Sequence, residues 1–285
     1  MVNISEELPD PIETELLLEE INKQLAQKTF NSQDSKLLQK MVEALADKRG
    51  MIRLGFVEAF GQIGKPITPF LLEALANHPN PVVRRSAGKG LAKIQEPHSI
   101  PTLINALLND EDIVVKSSSA GALAKMGAHA VKPLLEIIEG DYPSISKGQA
   151  SWALGFIGEE GIEELLLVYQ SDNRDVRLGV VGALGRIAES RWDKSLEQVL
   201  FSALEDRDLE VRLEAIATLS RIPPALALTK LIPMLDESNL ELSRAAFLAL
   251  GKLGEKEALP YLEAKLKDNR PGISEVAKIA ISQIK

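Results

Sequence analysis

Trp152 and Phe156 lie four positions apart in a chain whose aromatic content is only 4%. That spacing on a helix puts both rings on one face. Regularly placed cations surround them: Lys125 and Arg186 are their neighbours in the repeating pattern described below, and Lys89 stands one step beyond. Gly121 and Gly182 hold, in the flanking segments, the position that Trp152 holds in its own, so no side chain stands at either place. Such residues can form a flat slot bordered by positive charge. It would suit a planar ligand carrying carboxylates, or a partner that presents an apolar knob among acids. A plainer reading stays open beside it, in which the indole fills gaps left by the glycines and the cations form a solvated face.

The remaining side chains offer less chemistry. His78, His98 and His129 form no i,i+4 pair and no H-E-x-x-H, so no metal ligands are expected. Glu159, Glu160, Glu163 and Glu164 read as a solvated turn and helix start favoured by the helix dipole. Carboxylate density alone makes no acid–base pair. Ser117, Ser118 and Ser119 have no evident His and Asp partners, and no phosphate-binding glycine loop is present. With no cysteine, the chain has no disulfide, no thiolate nucleophile and no thiolate metal ligand. No catalytic residue is assigned, and no covalently bound cofactor is expected.

These residues are placed by a repeat. In the stretch from Asp172 to Ala188, Val176, Val180, Leu184 and Ile187 fall on one side of a helix. With Leu184 as marker, the equivalents are Phe60, Leu91, Leu123, Leu154, Leu219, Leu250 and Ile281, at steps of 31, 32, 31, 30, 35, 31 and 31 residues. Four positions earlier come Phe56, Ala87, Ser119, Ala150, Val180, Ala215, Ala246 and Ala277, mostly small enough for close helix approach. Seven positions earlier come Arg53, Arg84, Lys116, Lys147, Arg177, Arg212, Ser243 and Ser274. Their expected role is structural, bonding to Asp residues of the same or the adjacent unit in a ladder. Two positions after the marker come Gln62, Lys93, Lys125, Phe156, Arg186, Arg221, Lys252 and Gln283; two before it come Glu58, Lys89, Gly121, Trp152, Gly182, Ala217, Leu248 and Ile279. These two rows are free of the core pattern, and they cross at Trp152 and Phe156.

Each unit therefore reads as a helical hairpin. Gly64, Gly127, Gly158 and Gly254 fall just past the first helix, where a positive φ favours glycine. Pro69, Pro101, Pro133, Pro233 and Pro260 are placed in the first turn of the second helix. Acids and amides leading into the long helices, among them Asp47, Asn80, Asp110, Asp112, Asp172, Asp206, Asp208 and Asp268, are expected to cap backbone N–H groups. An additional helix over Glu13 to Gln27, with Leu16, Leu17, Ile21 and Leu25 as its apolar side, is expected to cap the first repeat. The organisation is a leader and capping helix over 1–33, then one solenoid over 34–285. Trp192 lies in the longer insert after the fifth marker and is read as packing.

A net charge of -8 argues against nucleic acid as a partner, although a local basic face remains compatible with it. The start M-V-N-I-S-E-E has no secretory pattern, and no apolar run approaches a membrane span, so a cytoplasmic protein with no membrane contact is expected.

D-x-D-L-E-V-R-L-E-A-I-A-T-L at 206–219 and N-P-V-V-R-R-S-A-G-K-G-L at 80–91 resemble the short HEAT-like repeat of phycobilisome bilin lyases. The resemblance covers about residues 34–285. It implies an all-α fold: a right-handed α-solenoid of about eight helical hairpins with an N-terminal capping helix, the V-R helices lining the concave side. Relatives of this type include cyanobacterial E/F-type lyases that attach or isomerise phycobilins on phycobiliproteins, proteins of phycobilisome breakdown, and a regulator that associates with an iron-sulfur scaffold. Two functions follow from the resemblance. The first is a scaffold that acts on a phycobilin ligand or a phycobiliprotein partner, in attachment, chaperoning or detachment. In it Trp152 and Phe156 stack the tetrapyrrole, and Lys125, Arg186 and Lys89 pair with its propionates. The second is a non-catalytic adaptor for an iron-sulfur assembly protein or another protein. E/F-type lyases usually work as two unlike subunits, so a second lyase subunit is another implied partner.

Overall fold

A computed structural model describes residues 10–284, and every regular element among them is helical. The leader expected at the start falls largely on residues 1–9, outside the described residues. The fold class is the expected all-helical solenoid of HEAT-type hairpins, and the helices fall into two compact units. The first contains the described residues up to Ile137 and Asp141–Ala153. It holds α1 (Pro11–Gln27), α2 (Ser35–Glu43), α3 (Gly50–Ile63), α4 (Thr68–Asn77), α5 (Pro81–Ile94), α6 (Ile100–Asn109), α7 (Ile113–Ala124), most of α8 (Ala128–Glu139) and all but the last residue of α9 (Ser144–Leu154). The second contains Ile138–Gly140 and the described residues from Leu154 onward. It holds α10 (Ile162–Val168), α11 (Arg174–Ile187), α12 (Lys194–Ser202), α13 (Leu209–Leu219), α14 (Pro224–Met234), α15 (Leu240–Leu253), α16 (Leu259–Glu263) and α17 (Ile273–Gln283).

The periodic residues build the core. Seven of the eight markers are fully buried, and Ile281 on the last helix is half-buried. All eight residues four positions earlier are fully buried, which lets successive long helices pack closely. Asn80, Asp112, Asn173, Asp208 and Asn239 each accept a backbone N–H at the start of a long helix, a cap worth roughly 1 kcal/mol. Asp34 does the same for α2. Gly64, Gly127, Gly158 and Gly254 all take positive φ, as their place in the hairpin requires.

Several expectations change. On α1 the buried side is Thr14, Leu18 and Ile21, while Leu16 is exposed. The 3.6-residue period runs 14, 18, 21 and 25, and Leu16 falls off that line. A Cβ on Gly55 of α3 would lie 2.5 Å from Leu18, so that glycine admits the capping helix. Pro69, Pro101 and Pro260 lie in first turns, but Pro133 and Pro233 lie inside α8 and α14. Both helices start three residues before the expected Val131 and Ala227, so each proline removes one interior helix donor. Trp192 packs with Phe201 at 6.3 Å between ring centres, and the Lys230 ammonium lies 4.7 Å from the Phe201 ring.

Candidate functional site

The basic row seven positions before the markers is structural. Arg84 donates to both carboxylate oxygens of Asp110 at 2.8 and 2.9 Å and to the carbonyls of His78 and Pro79. Arg177 repeats this with Asp206 at 2.8 and 3.0 Å and the carbonyls of Ser171 and Asp172. These two arginines and their aspartates join adjacent repeats. Five others of the row bond to backbone carbonyls: Arg53 and Arg212 reach those of Asp47 and Asp206, Lys116 that of Leu108, Ser243 that of Leu235 and Ser274 that of Leu266. The expected carboxylate ladder is thus replaced at most steps by carbonyl bonds, which a serine close to the backbone makes as well as a long cation.

The aspartates divide the work. In the D-x-D pairs, Asp110 and Asp206 hold the preceding repeat's arginine and accept the N–H two residues on, while Asp112 and Asp208 cap the helix. Asp47 and Asp268 instead clamp Arg49 and Arg270 two residues later. Hydrogen bonds from the Arg270 side chain and N–H bring the Asp268 carboxyl down to about 2. Burial pushes Asp206 up, but the Arg177 hydrogen bonds, the Asp208 amide and nearby guanidinium charge leave it below the ordinary carboxylate value. The Asp110 hydrogen bonds raise Arg84 against the opposing effect of burial.

The two free rows carry the exposed chemistry. In the first unit, Trp152 near the end of α9 is 50% exposed, and Lys89 on α5 and Lys125 at the end of α7 are exposed. A Cβ on Gly121 of α7 would meet nothing within 4 Å, so the surface beside it is open. In the second unit the Arg186 guanidinium lies over the Phe156 ring, 4.3 Å from its centre, and the ring is 44% exposed. Phe156 is not on a helix, because α9 ends at Leu154 and the following residues turn. The shared helix face expected for Trp152 and Phe156 is therefore absent as such. At Gly182 a Cβ would lie 3.2 Å from a Glu214 carboxylate oxygen, so that position makes room for a neighbouring acid.

The spacing rules missed two features. Lys93 pairs with Glu58 at 2.8 Å, and Glu214 approaches Gly182. The first was visible as a match between the two free rows of adjacent repeats. Among the described residues no group of three or more His, Cys, Asp or Glu is placed to hold a metal ion, and no helix is long and apolar enough to cross a membrane.

Residues 68–155, 162–241 and 197–282 match the family of HEAT repeats. Over 249 residues the chain is 32% identical to the bilin biosynthesis protein MpeU of Synechococcus sp. (strain WH8020), across 87% of this chain and 84% of that protein. Among solved structures it is similar to the complex of CpcE and CpcF of phycocyanin lyase from Nostoc sp. PCC7120, at 19% identity and TM-score 0.34, covering 65% of this chain and 99% of that one. It is also similar to the E. coli protein YibA, at 20% identity and TM-score 0.40, over 98% of this chain and 99% of that one. By its repeats and its identity to MpeU along most of both chains, this protein belongs to the HEAT-repeat family that includes the bilin biosynthesis protein MpeU.

Proposed function

We propose that this protein binds a phycobilin, or a phycobiliprotein carrying one, on the exposed rows of its long helices, and positions it for attachment, chaperoning or detachment. Kinship with the bilin biosynthesis protein MpeU supports this choice of ligand class. The observation that carries the reading is the Arg186 guanidinium over the half-exposed Phe156 ring. A guanidinium over an exposed aromatic ring places a cation beside a flat apolar surface, where a conjugated ring can stack while N–H groups meet a propionate. Trp152 offers a second flat surface on the first unit, where Lys125 and Lys89 are cations for carboxylates of the ligand or its carrier.

Positioning is the whole catalytic contribution in this reading. The chain has no cysteine, so any thioether to the bilin forms on a thiol of the partner. A phycobiliprotein or a second lyase-like subunit is the protein partner. Titration with free phycocyanobilin tests the reading: bound pigment shifts its visible band and quenches tryptophan emission. A flat titration in both signals removes it.

A further inference from the structure

The Glu58 carboxylate on α3 and the Lys93 ammonium on α5 are 2.8 Å apart. Glu58 stands two positions before its marker, and Lys93 two positions after the next one. The ion pair therefore joins a fixed position of one long helix to a fixed position of its successor. α5 and α7 are also packed side by side, with a Cβ on Gly88 only 3.8 Å from Ser118. In this step the equivalent residues are Lys89 and Lys125, and both are exposed cations. Arg85 lies one turn before Lys89 on the same side of α5. Among the described residues, none of these three has a carboxylate partner.

We propose that this rung is completed by another molecule: carboxylates from an acidic segment of a partner protein dock between Lys89 and Lys125, with Arg85 beside them and the gap at Gly121 admitting the segment. Two ammonium groups at neighbouring places on adjacent helices repel, and an anion between them turns the repulsion into two attractions. A carboxylate on exposed lysines gains too little to hold a free small anion, so the group must belong to a larger ligand. A nucleic acid needs a longer track of phosphate contacts and would meet a chain of net charge -8. An acidic protein would be repelled over most of this surface and drawn to a place where cations on neighbouring helices lack carboxylate partners. The proposal assigns Lys89 and Lys125 to a protein carboxylate, and it stands whether or not the chain binds a bilin.

A fluorescein-labelled oligoglutamate peptide, free of chromophore ligand, is the probe, with anisotropy read at low salt against full-length protein. Lys89→Glu is expected to weaken peptide binding roughly tenfold or more and to raise Tm, because the new carboxylate meets Lys125 as Glu58 meets Lys93. Lys125→Glu is expected to do the same from the other side. Lys252→Glu, at the matching row position in the second unit, is expected to leave binding unchanged. Unchanged peptide binding in Lys89→Glu, a fall in its Tm, equal weakening by Lys252→Glu, or equally tight binding of a single-stranded oligonucleotide would each overturn the proposal.

Discussion

Arg84 and Asp110, twenty-six residues apart, meet in two parallel hydrogen bonds of 2.8 and 2.9 Å, with both side chains less than a tenth exposed. A guanidinium of this kind depends on its carboxylate, since most of its water has been removed. Asp110→Ala is expected to cost about 3 to 5 kcal/mol in urea unfolding, towards the lower end because the His78 and Pro79 carbonyls still accept from Arg84. The double variant Arg84→Met with Asp110→Ala is expected to cost less than the sum of the single changes, because it leaves no unpaired buried charge. Strict additivity would show that the pair is not coupled.

Acid should weaken the stack. Asp47, Asp206 and Asp268 all have carboxyls held below their ordinary value of 3.8, Asp268 at about 2. A group depressed in the folded state contributes its stability above the unfolded value and loses it as pH falls towards the folded one. The urea midpoint is therefore expected to stay level near neutrality with respect to these groups and to drop from about pH 4 to about pH 2. Asp268→Asn is expected to lower the neutral-pH midpoint and to flatten that drop. An acid limb as steep as the parent's would show that Asp268 contributes nothing to it.

The glycines separate into two kinds. A Cβ on Gly251 of α15 would lie 2.8 Å from the Ala280 Cα on α17, and one on Gly185 of α11 would lie 2.1 Å from Thr218 on α13. Gly251→Ala is expected to cost about 1 to 3 kcal/mol, since backbone must move apart. Gly121→Ala, within α7 and facing open space, is expected to gain about 0.5 to 1 kcal/mol from helix propensity. Thermal melts of the two variants check this, and shifts of the same sign would contradict it.

The hairpins were legible because one period recurs with small residues at a fixed offset, and those residues are the buried ones. Caps were legible as a class, but not which of two neighbouring acids caps. Asp110 and Asp112 differ only in what lies opposite them, and Arg84 comes from the preceding repeat. Ser243 and Ser274 lack the charge of the other row members, yet each reaches the carbonyl eight residues back, the one that Lys116 reaches in its own repeat. Of the candidate site, the cations and rings were legible by their absence from the core. The end of α9 before Phe156 and the Glu214 carboxylate at Gly182 were not, since they depend on where a helix stops and how its neighbour is tilted.

The central claim is bilin handling through the exposed aromatic and cationic rows. Its most direct test is titration of the full-length protein with free phycocyanobilin. The account predicts a saturable shift of the visible band, and a roughly tenfold or greater loss of affinity in Arg186→Glu, where the cation over Phe156 is reversed. No band shift, or an affinity unchanged by Arg186→Glu, would contradict it.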